Sequence, residues 1–182
     1  LIFFHNKKWY MIPETGEDQS IQLYESTKFP YKWKFVRYLL KGLNAKDNTL
    51  FIFNDILWLF TNIEKSNCKH TKLNLYYAYN LFDKFHHHPR NPIINDISTA
   101  RPAGRIFRYK NKLIRPSQNN KKRYGGSLKL NNIEYLNTED YAESMYSQIK
   151  PFRVSALKSH GIHTINLESQ LIVFDFLTRN RK

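Results

Sequence analysis

The sequence predicts an all-β protein whose repeated four-stranded antiparallel sheets form the blades of a β-propeller. Three observations lead to this prediction. Aromatic-rich hairpin segments recur along the 182 residues, an alternating apolar and polar segment follows them, and no stretch has strong helical periodicity. Tyr and Phe, at 12 and 13 residues, are the abundant aromatics, and both favour strands. Four strands that return every ~50 to 60 residues are typical of propeller blades with some added loop.

Each repeat opens with a hairpin in which apolar residues flank a short polar turn. The four copies lie at 3–12, 50–60, 105–115 and 165–174. The chain contains only 6 glycines. We therefore expect these turns to depend on Asn, Asp and Lys.

Two further strand segments complete each of the first three repeats. The alternating third strands are predicted at 21–26, 73–78 and 128–133. The fourth, edge strands are predicted at 33–39, at 84–88 and, more weakly, at 141–146. A β-sandwich of many short strands is the alternative, but the ordered recurrence of the three segment types favours the propeller.

These segments divide a single domain over 1–182 into repeats. Their approximate bounds are 1–43, 44–97, 98–150 and 160–182. A closed propeller needs at least about four blades. We therefore expect an incomplete set of about three to four blades, so that either N-terminal sequence is absent here or the protein closes by another route. Open blade edges of this kind invite self-association.

The net charge of +14 makes anionic partners plausible. Most Lys residues are scattered singly at turns, which favours a generally basic surface over a dedicated anion site. The loop Lys121-Lys122-Arg123 beside Tyr124 has the composition for phosphate contact and base stacking. No known nucleic-acid module is present, so we do not expect nucleic acid as a partner.

Cys68 is the single cysteine, which excludes an intramolecular disulfide and suits a reducing compartment. No segment approaches the length of a membrane span. The sequence shows no signal peptide, so a cytoplasmic location is expected.

Several motifs occur in an order that resembles a known family. They are Trp9–Thr15, Phe29–Trp33, Leu75–Ala78, His88–Ile93, Ala100–Arg105, Leu113–Gln118, Tyr124-Gly125 and His163-Thr164. The most specific are Ala-Arg-Pro-Ala-Gly at 100–104 and Arg-Pro-Ser-Gln at 115–118, followed by Tyr-Gly. This order resembles the N-terminal propeller region of the glucosamine inositolphosphorylceramide transferase family, whose related bacterial domains occur beside sugar formyltransferase-like modules.

The resemblance implies a five-bladed propeller similar to those of several glycoside hydrolase families. It also implies that a separate C-terminal glycosyltransferase domain performs the sugar transfer. This chain has no evident catalytic domain, so whether it acts as an enzyme stays open. Its expected role is to recognise a carbohydrate or glycoconjugate, such as an acidic or amino sugar, for glycan or glycolipid biosynthesis.

Candidate binding residues follow from the repeat, because propellers bind ligands in the central funnel. Glu14, Asn62 and Gln118 hold equivalent places after the second hairpin strand, so symmetry predicts that they approach a common region. Turn capping is the alternative for these three residues. Arg101 and Arg115 flank prolines and suit a phosphate or carboxylate, or else form a structural ion pair with Asp96 or Glu14.

Further residues are candidates for catalysis, metal binding and sugar contact. Glu14 and Asp47 are the candidate carboxylate pair of a glycoside hydrolase. His86, His87 and His88 are adjacent on a predicted strand, so their side chains alternate between its two faces and cannot all bind one metal. Neither a metal nor a cofactor is expected. His88, the last of the three histidines, is predicted to line the funnel, while Tyr124 and His163 are predicted to contact a sugar.

Three functions remain open from the sequence. The first is carbohydrate recognition in the funnel. The second is glycoside hydrolysis by paired carboxylates, which is disfavoured because Arg101 lies where another carboxylate is wanted. The third is a non-enzymatic basic interaction scaffold, which would gather positive charge on an outer face.

Overall fold

The computed structural model describes residues 1–64, 71–154, 157–168 and 170–178, which form four antiparallel sheets. The first sheet contains β1 (Ile2–His5), β2 (Lys8–Met11), β3 (Ser20–Lys28) and β4 (Lys32–Lys41) in that order. The second contains β5 (Ala45–Phe53), β6 (Ile56–Glu64), β7 (Thr71–Ala78) and β8 (His86–His87). One 3₁₀ turn, Gly16–Asp18, lies between β2 and β3.

The third sheet has an interrupted inner strand. Its strands are β9 (Arg101–Pro102), β10 (Phe107–Tyr109), β11 (Lys112–Asn119), β12 (Ser127–Leu136) and β13 (Tyr141–Ile149), and both β9 and β10 pair with β11. The fourth sheet contains β14 (Arg153–Val154), β15 (Leu157–Glu168) and β16 (Leu171–Thr178). The predicted all-β class with four-stranded antiparallel sheets is confirmed.

The inner hairpins close through residues with left-handed backbone conformations. Both central residues of the turns at 6–7, 54–55 and 110–111 have positive φ angles, between 45° and 64°. This is the turn type that matches the twist of paired strands, and it favours Asn, Asp and Gly. The turns are Asn-Lys, Asn-Asp and Lys-Asn, as expected from the scarcity of glycine.

Apolar side chains pack between neighbouring sheets. Tyr10, Ile21 and Leu23 of the first sheet pack with Leu57 and Leu59 of the second. The second and third sheets share a cluster that includes Trp58, Phe60, Leu75, Leu113 and Ile133. Ala103, Leu128, Ile162 and Ile165 join the third sheet to the fourth. Consecutive sheets therefore pack face to face, as blades do.

The bulge between β9 and β10 brings the third and fourth sheets into backbone contact. Gly104 has φ +128°, and a Cβ at this position would lie 2.0 Å from the carbonyl oxygen of Ile165. The Ile165 N–H donates to the Ala103 carbonyl at 2.8 Å, and Thr49 Oγ1 donates to the Gly104 carbonyl at 3.3 Å. Only glycine fits this close approach.

The strands share a common polarity that defines two ends. At the entry end β1, β5 and β9 begin and the loops 12–19 and 120–126 lie, while the inner hairpin turns lie at the hairpin end. No helix among the described residues is long and apolar enough to cross a membrane.

Candidate ligand-binding site

A central cavity of about 620 Å³ opens where the inner strands of the four sheets converge. Its lining combines carboxylates, amides, hydroxyls and a guanidinium with a few apolar side chains. These residues are Leu1, Ile2, Ile12, Glu14, Asp47, Asn48, Thr49, Pro102, Gly104, Arg105, Thr164, Asn166, Glu168 and Val173. Such a size and mixture of polar and apolar groups suit a small organic ligand.

Asp47 is held at the mouth of this cavity by an irregularity in β5. Its φ is +52°, and the pairing of β5 with β6 shifts register between Lys46 and Thr49. The Asp47 N–H donates to Glu14 Oε2 at 3.4 Å, and Asp47 Oδ2 accepts a hydrogen bond from Arg101 Nε at 2.5 Å. The two candidate catalytic carboxylates therefore lie side by side, with one of them paired to an arginine.

Burial raises the pKa of the Asp47 carboxyl, and the nearby charge of Glu14 raises it further. The Arg101 guanidinium acts in the opposite direction, since its charge and hydrogen bond favour the carboxylate. The desolvation cost is the larger effect. The environment of Asp47 therefore favours the protonated form more than water does.

A chain of polar contacts continues from Arg101 across the third and fourth sheets. The Arg101 guanidinium lies 5.0 Å from the centroid of the Tyr124 ring, and the Tyr124 hydroxyl hydrogen-bonds Nε2 of His163. His163 Nδ1 lies 3.4 Å from Asp175 Oδ2, which belongs to β16. We call Glu14, Asp47, Arg101, Tyr124, His163 and Asp175 the rim cluster. Glu14 and Asp47 line the central cavity, and the other four residues extend from Asp47 away from the lining.

Asp175 is the member of the rim cluster that sequence reasoning missed. Its Oδ1 also accepts the backbone N–H groups of His163 at 3.1 Å and Thr164 at 2.6 Å. Its signal in the sequence is a single acidic residue within the apolar run Val173–Leu177. The contact arises from the pairing of β15 with β16, which has two register irregularities.

Asn62 and Gln118 lie inside the sheets and do not line the cavity. Both are fully buried, and Gln118 Nε2 donates to the Pro102 carbonyl at 3.2 Å. Glu14 follows its hairpin turn by a similar number of residues as Asn62 and Gln118 follow theirs. However, β2 ends at Met11, before Glu14, whereas β6 and β11 continue past Asn62 and Gln118. Glu14 is therefore free to reach the cavity and the other two are enclosed by neighbouring strands.

Arg115 is a buried member of the core, with only 1% of its surface exposed. Its Nε and Nη2 donate to the two carboxylate oxygens of Glu143, both at 2.6 Å, and Nη2 also donates to the Thr99 carbonyl at 2.8 Å. Although burial opposes the charge, Glu143 and Tyr141 hold the pKa of Arg115 above its usual value. The partner is Glu143, not the Asp96 or Glu14 that the sequence suggested.

His88 also lies in the core and not in the funnel. Its side chain is buried beside Trp58, with Nε2 3.0 Å from the Asn137 carbonyl oxygen and Nδ1 accepting the Arg90 N–H at 3.2 Å. Across the described parts of the chain, no group of three or more His, Cys, Asp or Glu side chains is arranged to hold a metal ion.

Comparison with known proteins identifies the family. The sequence matches the family described as glucosamine inositolphosphorylceramide transferase 1, N-terminal, over residues 1–171. The chain belongs to this family. The resemblance inferred from the motifs at 100–104 and 115–118 is thereby confirmed.

Two relatives carry the name glucosamine inositolphosphorylceramide transferase 1. The protein from Oryza sativa subsp. japonica is 31% identical over 150 residues, which cover 78% of this chain and 20% of the relative. The protein from Arabidopsis thaliana is 31% identical over 146 residues, covering 78% of this chain and 19% of the relative. The chain thus spans about a fifth of the length of these family members.

Two solved structures share the fold of this family member. An exo-β-1,3-galactanase from Clostridium thermocellum superimposes with a TM-score of 0.59 at 14% identity, over 81% of this chain and 36% of that chain. An endo-arabinase from Bacteroides thetaiotaomicron gives 0.60 at 11% identity, over 99% of this chain and 70% of that chain. At these identities the likeness concerns the propeller fold alone.

Proposed function

We propose that this chain is a carbohydrate-recognising module of a protein that makes glycans or glycolipids, and that it binds a sugar in the central cavity. The observation that carries the proposal is the convergence of the inner strands of the four sheets on one cavity with polar side chains at its rim. Membership of a family named for glucosamine and inositolphosphorylceramide gives the biochemical setting.

The cavity offers the groups that sugars bind through. Carboxylates accept hydrogen bonds from hydroxyl groups, and amides both donate and accept. Glu14 contributes a carboxylate to the lining, whereas the carboxylate of Asp47 is paired with Arg101 and that of Glu168 lies 3.4 Å from Arg105. An amino sugar suits this lining because its ammonium group pairs with a carboxylate.

The test is a glycan-array screen of the intact protein, followed by calorimetric titration with glucosamine, N-acetylglucosamine and glucose. We expect glucosamine to bind more tightly than the two uncharged sugars. Glu14→Gln removes one carboxylate charge at the cavity and should weaken glucosamine binding by at least about tenfold, since a charge-assisted hydrogen bond contributes ~1.5–3 kcal/mol.

The matched control is Glu139→Gln, which makes the same change at an exposed residue of the hairpin end. This variant should bind as the unaltered protein does. Equal loss in both variants, or no binding of any glycan by folded protein, would overturn the proposal.

A glycoside hydrolase is the second candidate, because Glu14 and Asp47 lie together at the cavity. A raised pKa of Asp47 is what a general acid requires. Against this role, the Asp47 carboxylate is hydrogen-bonded to Arg101 at 2.5 Å. Release of sugar from aryl glycosides, abolished by Asp47→Asn and retained by Glu139→Gln, would favour hydrolysis over recognition.

Three other expectations stay predictions. A basic scaffold would bind anionic polymers through an outer face, with affinity that falls steeply with salt. Self-association through the outer edge of β16, which pairs on one side with β15 among the described strands, is tested by sedimentation. A cytoplasmic location is tested by fractionating cells that express the full-length protein.

A further inference from the structure

A second cavity, of about 590 Å³, lies at the entry end beside the loop 120–126. We call it the basic pocket. Four cationic side chains contribute to it, Lys121, Lys122, Arg123 and Lys150, and its described lining contains no Asp or Glu. The chain is basic overall, but a concave grouping of four cations differs from single lysines at turns, because a cleft of one charge focuses the electrostatic field.

The loop that carries three of these cations is fixed by its own hydrogen bonds. Asn120 Oδ1 accepts the Gly125 N–H at 2.9 Å, and the Gly126 N–H donates to the Arg123 carbonyl at 3.2 Å. Gly125 has φ +61°, and a Cβ there would lie 3.3 Å from the Ile162 carbonyl oxygen. Because Gly125 has no side chain, the loop can lie close against β15 at this position.

Two contacts fasten the same loop to the fourth sheet. The Ile162 N–H donates to the Gly125 carbonyl at 2.8 Å, and Arg123 Nη2 donates to the His160 carbonyl. Lys150, which directly follows β13, also lines the pocket. The backbone that carries these cations is therefore largely positioned before a ligand arrives, which lowers the entropic cost of binding.

We propose that the basic pocket binds a phosphate group. Lysine ammonium groups surround a phosphate as point charges, and an arginine can donate two parallel hydrogen bonds to its oxygens. Ser127 and Gln148 add a hydroxyl and an amide to the lining. This site does not depend on sugar binding in the central cavity, because it uses different residues and a different ligand group.

The basic pocket lies next to the rim cluster, because the two share the loop 120–126. Tyr124 follows Arg123 directly in the chain and packs beneath Arg101. Both cavities therefore lie at the entry end, and the family name places a phosphate within a glycolipid headgroup. A free phosphate ester and a phosphate in a lipid headgroup share the chemistry that the pocket recognises.

Nucleic acid is disfavoured as the source of the phosphate. Stacking of bases on exposed aromatic rings is a main contribution to single-strand binding. Tyr124, which follows the pocket residue Arg123, is 58% exposed, but the Arg101 guanidinium already lies over one face of its ring and its hydroxyl hydrogen-bonds His163.

The experiment measures binding of inorganic phosphate by nuclear magnetic resonance titration at low ionic strength. Lys122→Gln combined with Lys150→Gln removes two of the four cations and leaves Arg123, which also holds the loop. We expect phosphate affinity to fall about 100-fold, since each charged contact is worth roughly tenfold. Lys28→Gln combined with Lys32→Gln is the control, with the same charge change at exposed residues of the hairpin end.

Vesicles distinguish the two sources of phosphate. Binding to phosphatidylcholine vesicles that contain phosphatidylinositol, lost in the pocket variant but not in the control, identifies a lipid headgroup. Phosphate binding without vesicle binding identifies a soluble phosphate ester. The inference is overturned if neither probe binds, if both double variants lose the same affinity, or if only an RNA oligonucleotide binds through these lysines. Circular dichroism and melting temperature check that each variant is folded.

Discussion

The buried pair of Arg115 and Glu143 gives a sharp test of the packing within the third sheet. In Arg115→Met the Glu143 carboxylate keeps the Tyr141 hydroxyl at 2.5 Å but loses both guanidinium bonds. Only 1% of the Arg115 side chain and 5% of the Glu143 side chain is exposed, so water cannot replace the lost partner. Breaking a buried pair of this kind costs about 3–5 kcal/mol.

The double variant should lose much less free energy of unfolding than the two single variants lose in sum. Arg115→Met with Glu143→Leu removes both charges, but it leaves the Thr99 carbonyl without its donor and the Tyr141 hydroxyl without its acceptor, a combined loss of about 2–6 kcal/mol. Independent single losses of ~3–5 kcal/mol each would sum to ~6–10 kcal/mol, so the coupling is expected to be about 4 kcal/mol when the midpoints of the ranges are compared.

Urea denaturation at pH 7, followed by tryptophan fluorescence, measures these energies. In thermal denaturation, the melting temperature of each single variant should be roughly 6–20 °C lower than that of the unaltered protein, for a chain of this size. Single losses below ~1 kcal/mol, as for exposed ion pairs, would refute the buried pair. Strictly additive losses would refute the coupling.

Three further changes test the backbone and the site. Gly104→Ala should destabilise the fold by at least ~2 kcal/mol, because the new Cβ would lie 2.0 Å from the Ile165 carbonyl oxygen. Gly42→Ala is the control: its Cβ would have no atom within 4 Å, so it should cost only the ~1–2 kcal/mol of a left-handed residue. Thermal denaturation of the two variants measures the difference in stability. Lys7→Gly should stabilise by up to ~1 kcal/mol in urea, because Lys7 has φ 64°; a loss would contradict the turn assignment. The raised pKa of Asp47 means that its contribution to stability is fullest below the ordinary aspartate pKa of about 4 and is lost as pH rises through the higher folded value. Asp47→Asn should therefore gain stability relative to the unaltered protein as pH rises through that window, and parallel urea midpoints would contradict the shift.

The sequence contained most of what determines the strands and the inner turns. Alternation of apolar and polar residues is local information, so segments such as Leu73–Ala78 were predicted within β7, which begins at Thr71. The inner turns at 6–7, 54–55 and 110–111 were predicted because Asn, Asp and Lys were the polar residues between the apolar segments.

The site was less accessible from the sequence because it depends on where strands end and how they register. Glu14 and Asn62 occupy similar places after a hairpin turn, yet one lines the cavity and the other is buried, because β6 continues further than β2. Glu143 opposes Ile133 on β12, and only that long-range pairing brings it to Arg115. No local pattern encodes such a contact.

An exposed aromatic surface on the first sheet is the rival location for a sugar. Trp9 stacks on Phe29 with ring centroids 4.4 Å apart, and both side chains are partly exposed. Stacked rings of this kind can bind the apolar face of a sugar. The two locations differ in chemistry, since the central cavity has carboxylates at its rim.

A crystal structure of the protein bound to glucosamine, or to the glycan that binds most tightly in the array, would show directly where the sugar binds. We expect the sugar to lie in the central cavity, with its polar groups against Glu14 and Asp47. A sugar bound instead on the surface of Trp9 and Phe29, with the cavity holding only solvent, would contradict it.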